Sequence, residues 1–154
     1  MMKPGDKIPD LSGSGTGGDI ALRKLKGKFV IVYFYPKDNT TGCTREAQDF
    51  RDLHKDFAKR GAIVLGVSRD SLKSHESFRH KQALAFDLIA DADETWCRAF
   101  DVIHEKVLYG RRYLGVVRST FLFGPDGKLL QEWRGVKVPG HAAAVLAAVD
   151  AGRQ

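Results

Sequence analysis

One thiol in this chain stands where a thiol can be made to react. Cys43 ends the segment Val30-Ile-Val-Tyr-Phe-Tyr-Pro36-Lys-Asp-Asn-Thr40-Thr-Gly42-Cys43. An apolar run of β-branched and aromatic residues stops at a proline, a short polar turn follows, and the cysteine falls where a helix should begin. A free thiol ionises near pH ~8.5, so little of it is nucleophilic at neutrality. The first turn of a helix has unpaired N–H groups and the positive end of the dipole, and both favour a thiolate. Thr40 is near enough in sequence to offer its hydroxyl to the sulfur or to a bound oxygen. Pro36 lacks an N–H and fixes φ, so it can shield and stiffen the turn. Gly42 leaves room for a substrate to approach the backbone. The alternative is an inert buried cysteine, but the surrounding Lys37-Asp38-Asn39-Thr40-Thr41-Gly42 is polar and does not resemble a core segment.

The elements that must hold this thiol follow from hydrophobic periodicity. Residues 29 to 35 predict a strand buried on both faces, closed by Pro36. Thr44 to Arg60 predicts a helix with Phe50, Leu53 and Phe57 as its apolar stripe. Ala62 to Val67 predicts a second buried strand, which makes a parallel βαβ unit. Ser71 should cap a helix running to Gln82, with Phe78 inward. A short strand at 86–89 and a short helix at 95–100 follow, the latter with Trp96, Ala99 and Phe100 as core candidates. Val116 to Phe123 predicts a strand whose pattern Arg118 interrupts, and a Gly124-Pro-Asp-Gly127 turn leads to its partner at 128–133. Pro139 opens a last helix whose buried face is Val145, Leu146 and Val149. The glycine-rich stretch from Ser12 to Gly18 should be a hairpin tip or surface loop. The expectation is one α/β domain over residues 1–154, with a mixed central sheet and helices on both faces.

Composition narrows the function. The 154 residues suit one domain, and 43% hydrophobic with 29% charged is ordinary for a globular protein. Two cysteines are too few for a secreted disulfide scaffold. No apolar leader opens the chain, and its longest apolar run, Phe29 to Tyr35, is too short to span a membrane. A cytoplasmic protein without a membrane partner is expected. The net charge of +6 is scattered and carries no nucleic-acid-binding signature, so no nucleic-acid partner is expected. His54, His75, His80, His104 and His141 form no metal-ligand pattern and are expected at the surface or partly buried. Lys37 and Asp38 are expected to face solvent. No metal and no cofactor beyond the thiol is implied.

The segment Phe34-Tyr-Pro-Lys-Asp-Asn-Thr-Thr-Gly-Cys43-Thr-Arg-Glu46 resembles the peroxidatic signature of the peroxiredoxins, and most closely their bacterioferritin comigratory protein, or PrxQ, subfamily. The likeness extends to Lys3-Pro-Gly-Asp6, to Gly66-Val-Ser-Arg-Asp-Ser71 with Lys73-Ser-His-Glu-Ser-Phe78, and to Arg118-Ser-Thr-Phe-Leu with Pro125-Asp-Gly-Lys. It covers nearly the whole chain. The resemblance implies a thioredoxin-like fold and a thiol peroxidase that reduces hydrogen peroxide and organic hydroperoxides. It implies Cys43 as the attacking sulfur, Thr40 on the peroxide, Arg118 on the sulfur and the leaving oxygen, and Pro36 excluding water. Gly42 would contribute backbone donors, and Glu46 would orient an arginine. A monomer is implied.

Thr41 stands where the subfamily has a second proline. More consequential, the two positions at which the subfamily carries a resolving cysteine are Gln48 and, near the next helix, Arg79. Cys97 is the only other thiol and is expected to be a buried structural group beside Trp96 and Phe100 rather than a resolver. A one-cysteine mechanism follows, with an external reductant such as thioredoxin or glutathione with glutaredoxin. Two other functions compete. A dithiol oxidoreductase would need a second cysteine at position 46, where the chain has Glu46. A peroxide sensor or redox-regulatory binding module would fit a lone reactive cysteine. The segment from 104 to 115, with two tyrosines and two arginines, has no role that its sequence dictates.

Overall fold

Phe29–Phe34 (β3) is buried along its whole length because it lies inside a seven-stranded sheet. On one side it pairs in parallel with Ala62–Ser68 (β4), which pairs in parallel with Asp87–Ala90 (β5). On the other side it pairs antiparallel with Ser119–Phe123 (β8), which pairs with Leu129–Arg134 (β9). The hairpin of Ser12–Gly15 (β1) and Gly18–Ala21 (β2) completes the far edge through β5. The strand order is β2-β1-β5-β4-β3-β8-β9, a mixed sheet of the thioredoxin-like kind. The computed structural model describes residues 2–153.

Alternation along β3 sends its side chains into two cores. Ile31, Tyr33 and Tyr35 meet Phe50 of Thr41–Asp52 (α1), Phe57 of His54–Lys59 (α2), Phe78 of Leu72–Lys81 (α3), and Val145 and Val149 of His141–Gly152 (α5). Val30, Val32 and Phe34 meet Trp96 and Cys97 of Thr95–Ala99 (α4), together with Phe100 and Leu22. Gly66 in β4 permits this packing. A Cβ there would stand 2.7 Å from the Leu88 side chain and 2.9 Å from the Tyr33 ring.

Four expectations change. The helix expected over 44–60 is two helices, broken at Leu53, whose φ of −98° and ψ of 6° end the first. No proline or glycine marks that break. The strand expected over 116–123 is split. Val116 ends Arg111–Val116 (β7), which pairs only with Ile103–Leu108 (β6), and β8 starts at Ser119. Arg118 therefore lies in the break between two sheets and not within a strand. Ala99 is exposed, while its neighbours Trp96, Cys97 and Phe100 are buried. Finally, the glycine-rich stretch is built into the sheet edge as β1 and β2, with only its Thr16-Gly17 turn as a tip.

Candidate active site

Helix α1 buries Cys43, Glu46, Ala47 and Phe50, the spacing of one helical face. The stripe that docks the helix on the sheet thus carries a thiol and a carboxyl inward. The loop before it, after Pro36, turns at Asn39, whose φ of 66° lies in the left-handed region that asparagine tolerates best after glycine. The first helical bond runs from the Thr44 N–H to the Thr40 carbonyl at 2.9 Å, so Cys43 sits in the first turn, among N–H groups without intrahelical partners. The Thr40 hydroxyl does not cap the helix. It donates to the Lys37 carbonyl at 2.9 Å, which tightens the loop. Pro36 is half-buried beside it.

Arg118 joins the inward groups. Its Nη2 is 3.4 Å from the Cys43 Sγ, and its Nη1 donates to the Glu46 Oε1 at 2.6 Å. Cys43 is 2% exposed and the Arg118 side chain 17%. A fixed cation therefore faces the sulfur in a setting of low dielectric, where its charge acts strongly. The carbonyl of Arg118 is held by the Val136 N–H, which anchors the break from which the side chain reaches inward. Gly42 makes room for the guanidinium: a Cβ there would be 3.2 Å from Nη2. What crowds this glycine is the arginine, where the sequence suggested an approaching substrate.

Burial pushes the Glu46 carboxyl up to about 7, against the pull of Arg118. Its Oε2 is buried with no hydrogen-bond partner among the described residues, as is the Tyr33 hydroxyl. Burial, followed by the charges of Glu46 and Cys43, keeps the Tyr33 phenol protonated well beyond its ordinary range. For Arg118, burial pulls downward but Glu46 and Cys43 outweigh it and raise the guanidinium further. Lys106, at the root of β6, is held below its ordinary value by burial first and by the charge of Arg118 second.

Behind the loop lies a polar network that the sequence did not reveal. Asp38, expected in solvent, is buried. It accepts from the Tyr35 hydroxyl at 2.6 Å and the Ser74 hydroxyl at 2.9 Å, and its Oδ2 is 2.7 Å from the His75 Nδ1. His75 is fully buried as well, with Nε2 2.9 Å from the Ile89 carbonyl. Asp70 accepts from the Asp38 N–H at 2.9 Å. Asp38, Asp70 and His75 place ligand-type atoms within 4.8 Å of one another, yet each already has hydrogen-bond partners without a cation. The network ties the Pro36–Thr40 loop to α3 and β5. No spacing or composition in the sequence singles this network out. Tyr35→Phe should leave a buried Asp38 oxygen short of a donor and cost about 1–3 kcal/mol, read as a lower denaturant midpoint at unchanged slope.

His141 is also buried, 2.8 Å from the Thr120 hydroxyl. Burial, and then the charge of Arg118, lowers it to about 4.

Cys97 lies in the other core. Cys43 packs with Tyr33 and Phe50, Cys97 with Phe34 and Trp96, so the central sheet separates the two thiols. Asp91 accepts from the Trp96 and Cys97 N–H groups at 3.0 and 2.8 Å and so caps α4. Burial, reinforced by Asp91, pushes the Cys97 thiol far up. Gln48 donates to Gln82 at 3.0 Å, and Arg79 donates to the Phe86 carbonyl at 3.1 Å.

The sequence and the fold that carry this thiol, guanidinium and carboxyl are shared with known proteins. The AhpC/TSA family model matches residues 4–132. Peroxiredoxin Bcp of Xanthomonas campestris pv. campestris is 56% identical over 143 residues, covering 92% of this chain and 89% of that one. Peroxiredoxin Bcp of Bacillus subtilis is 47% identical over 143 residues, with 92% and 91% covered. The bacterioferritin comigratory protein of Xanthomonas campestris superposes with a TM-score of 0.92 at 51% identity, covering 99% and 100%. Xylella fastidiosa PrxQ superposes with a TM-score of 0.95 at 42% identity, covering 100% and 99%. With likeness of this extent in both sequence and fold, the chain belongs to the AhpC/TSA family and, within it, to the Bcp/PrxQ peroxiredoxins, which are thiol peroxidases.

Proposed function

We propose that the protein reduces hydrogen peroxide and alkyl hydroperoxides through Cys43 alone, with an external thiol completing the cycle. The observation that carries this is the Arg118 guanidinium held between the Cys43 sulfur and the buried Glu46 carboxyl. The Cys43 thiolate attacks the terminal oxygen of the peroxide. An S–O bond forms as the O–O bond breaks, and the departing alkoxide or hydroxide takes a proton to leave as alcohol or water. Arg118 stabilises negative charge as it moves from sulfur to the leaving oxygen. The proton of the Thr40 hydroxyl is engaged by Lys37, so Thr40 presents its lone pairs to the peroxide O–H. Pro36 and its loop exclude water. The Cys43 sulfenic acid then condenses with an external thiol, releasing water, and a second thiol frees Cys43 as a disulfide leaves.

Further observations support the finer points. A groove of about 630 Å³ adjoins the start of α1, with Leu53, Val138, Pro139 and Ala142 as an apolar wall that suits an alkyl tail. The matched Xanthomonas campestris protein has alkyl peroxide reduction activity. Gln48 and Arg79 offer no thiol, and the sheet stands between Cys43 and Cys97, which supports an external reductant such as thioredoxin or glutathione with glutaredoxin. Every group invoked comes from one chain, in keeping with a monomer.

The test is the intact mass of reduced protein after one equivalent of hydrogen peroxide, with a sulfenic-acid trap in parallel. The expected product has gained one oxygen and reacts with the trap, identically in Cys97→Ala. Loss of two hydrogens, abolished in Cys97→Ala, would replace the one-cysteine cycle with an internal disulfide. Fast oxidation with no turnover by either reductant would make the protein a peroxide sensor.

A further inference from the structure

Among the described residues the β6–β7 hairpin pairs with no strand of the main sheet. It is rooted where the Val117 N–H bonds the Val102 carbonyl and where Lys106 donates to the Val116 carbonyl, and beyond that root it projects from the body. Its far end exposes large apolar groups: Val107, Leu108, Tyr109 and Leu114, with Tyr109 at 96%. Strand alternation sorts them. One face carries Val107 beside Arg112, which is paired at 3.4 Å with the exposed Glu105, and Leu114 opposite Glu105. The other face carries Leu108 opposite Arg111, with Tyr113 opposite Lys106. Tyr109 stands at the apex. Both faces of the tip therefore offer the same chemistry, an aliphatic group next to an arginine.

The turn adds a separate clue. Tyr109 and Gly110 have φ of 51° and 76°, the paired left-handed conformation of a two-residue hairpin turn. Such a turn favours asparagine, aspartate or glycine at its first position, and a bulky aromatic there is strained. The tip keeps a large amphipathic ring at some conformational cost.

We propose that this hairpin tip docks the protein on an anionic lipid surface. A protein partner engages one face of a hairpin, whereas a lipid headgroup layer surrounds a tip from both sides. The arrangement matches that medium: aliphatic groups at the end, an aromatic ring with a polar edge for the interface, and cations just behind to meet anionic headgroups. At the tip Arg111 and Arg112 outnumber the one hairpin carboxylate, Glu105, and the chain as a whole carries a formal net charge of +6. Among the described residues no helix is long and apolar enough to cross a membrane, and docking on a surface needs none. The expectation of no membrane partner rested on leader and spanning segments, neither of which bears on docking at a surface. The hairpin continues within two residues into Arg118, so docking would bring the lipid surface close to the peroxidase site, but the docking itself does not depend on catalysis.

The test is sedimentation of the full chain with large vesicles of phosphatidylcholine, alone or with about a third of phosphatidylglycerol. Binding is expected to the anionic vesicles, at least about tenfold tighter than to the neutral ones and weakening with salt. Leu108→Ser with Tyr109→Ser should weaken it about tenfold, as should Arg111→Gln with Arg112→Gln. Tyr109→Trp should report insertion by a blue-shifted emission against the constant signal of Trp96 and Trp133. Three outcomes would overturn the proposal. The wild type fails to bind anionic vesicles. The double serine variant binds as the wild type does, without a shift from the tryptophan reporter, which would leave only diffuse charge adsorption. Or the hairpin residues prove necessary for self-association in sedimentation velocity, without vesicle binding, which would assign the tip to a second copy of the chain.

Discussion

Cys43→Ser should abolish peroxide reduction, and Arg118→Met should slow the oxidation of Cys43 by a factor of about 10²–10³, the range for removing one donor from a site of developing charge. The Cys43 sulfur is the only atom of the protein that changes oxidation state in the proposed cycle, so serine leaves nothing to accept the oxygen. Arg118 acts on that sulfur at 3.4 Å and on the charge that moves to the leaving oxygen. Its loss has a second consequence. The Glu46 Oε1 loses its 2.6 Å donor while Oε2 is already unpartnered in the core, so the carboxyl takes up a proton to stay buried. About 1–3 kcal/mol of stability should go with it. Two further variants separate the effects. Arg118→Lys keeps a charge but not the fork that reaches sulfur and carboxylate together, so its rate should fall between the wild type and Arg118→Met. Arg118→Met with Glu46→Gln should recover part of the stability and none of the rate. The measurement is the second-order rate constant for sulfur oxidation by stopped flow, alongside denaturant unfolding. An Arg118→Met enzyme oxidised at the wild-type rate would remove the arginine from the mechanism.

The parts of this molecule that sequence makes visible are those with a strong period or a strong stop. β3 was plain because six buried residues run into Pro36. The helix that carries Cys43 is plain because Phe50 and Phe57 mark its face, yet its break at Leu53 is not, since the chain turns there with no proline or glycine to announce it. Arg118 was recognisable through family resemblance but misplaced inside a strand. Val116 and Ser119 belong to different sheets, and local hydropathy does not say which partner a strand will take. By sequence Asp38 is a solvent-facing turn residue and His75 a surface or partly buried helix residue, because polar residues in turns and on helices usually are. What buries them is each other, across 37 positions of chain, with Tyr35 and Ser74 supplying the remaining bonds. Such mutual satisfaction has no signature in composition or spacing. Cys97 was expected in a core, and the alternation of β3 adds what sequence did not supply: it is the core on the far side of the sheet from Cys43.

Glu46→Gln should reshape the dependence of stability on pH between about 4.5 and 7. The folded carboxyl titrates at about 7, above its ordinary 4.5, because burial disfavours its charge more than Arg118 favours it. Over that interval the folded state holds a proton that the unfolded chain has released, so this group makes stability fall as pH rises. The difference amounts to about 3 kcal/mol, present in full below the lower value and lost above the upper one. His141 works in the opposite sense. Its folded value of about 4 lies below its ordinary 6.5, so the unfolded chain holds the extra proton and stability rises with pH across about 4 to 6.5. The two effects overlap and largely cancel, which predicts a flat wild-type profile through mildly acidic pH. Glu46→Gln removes one side of that balance while keeping an amide oxygen for the Arg118 Nη1. Its stability should climb by about 2–3 kcal/mol from pH ~4 to pH ~7, where the wild type hardly changes. Chemical denaturation at a series of pH values reads this directly. A variant profile parallel to the wild type would mean that Glu46 is ionised throughout, and that the 2.6 Å bond to Arg118 outweighs its burial.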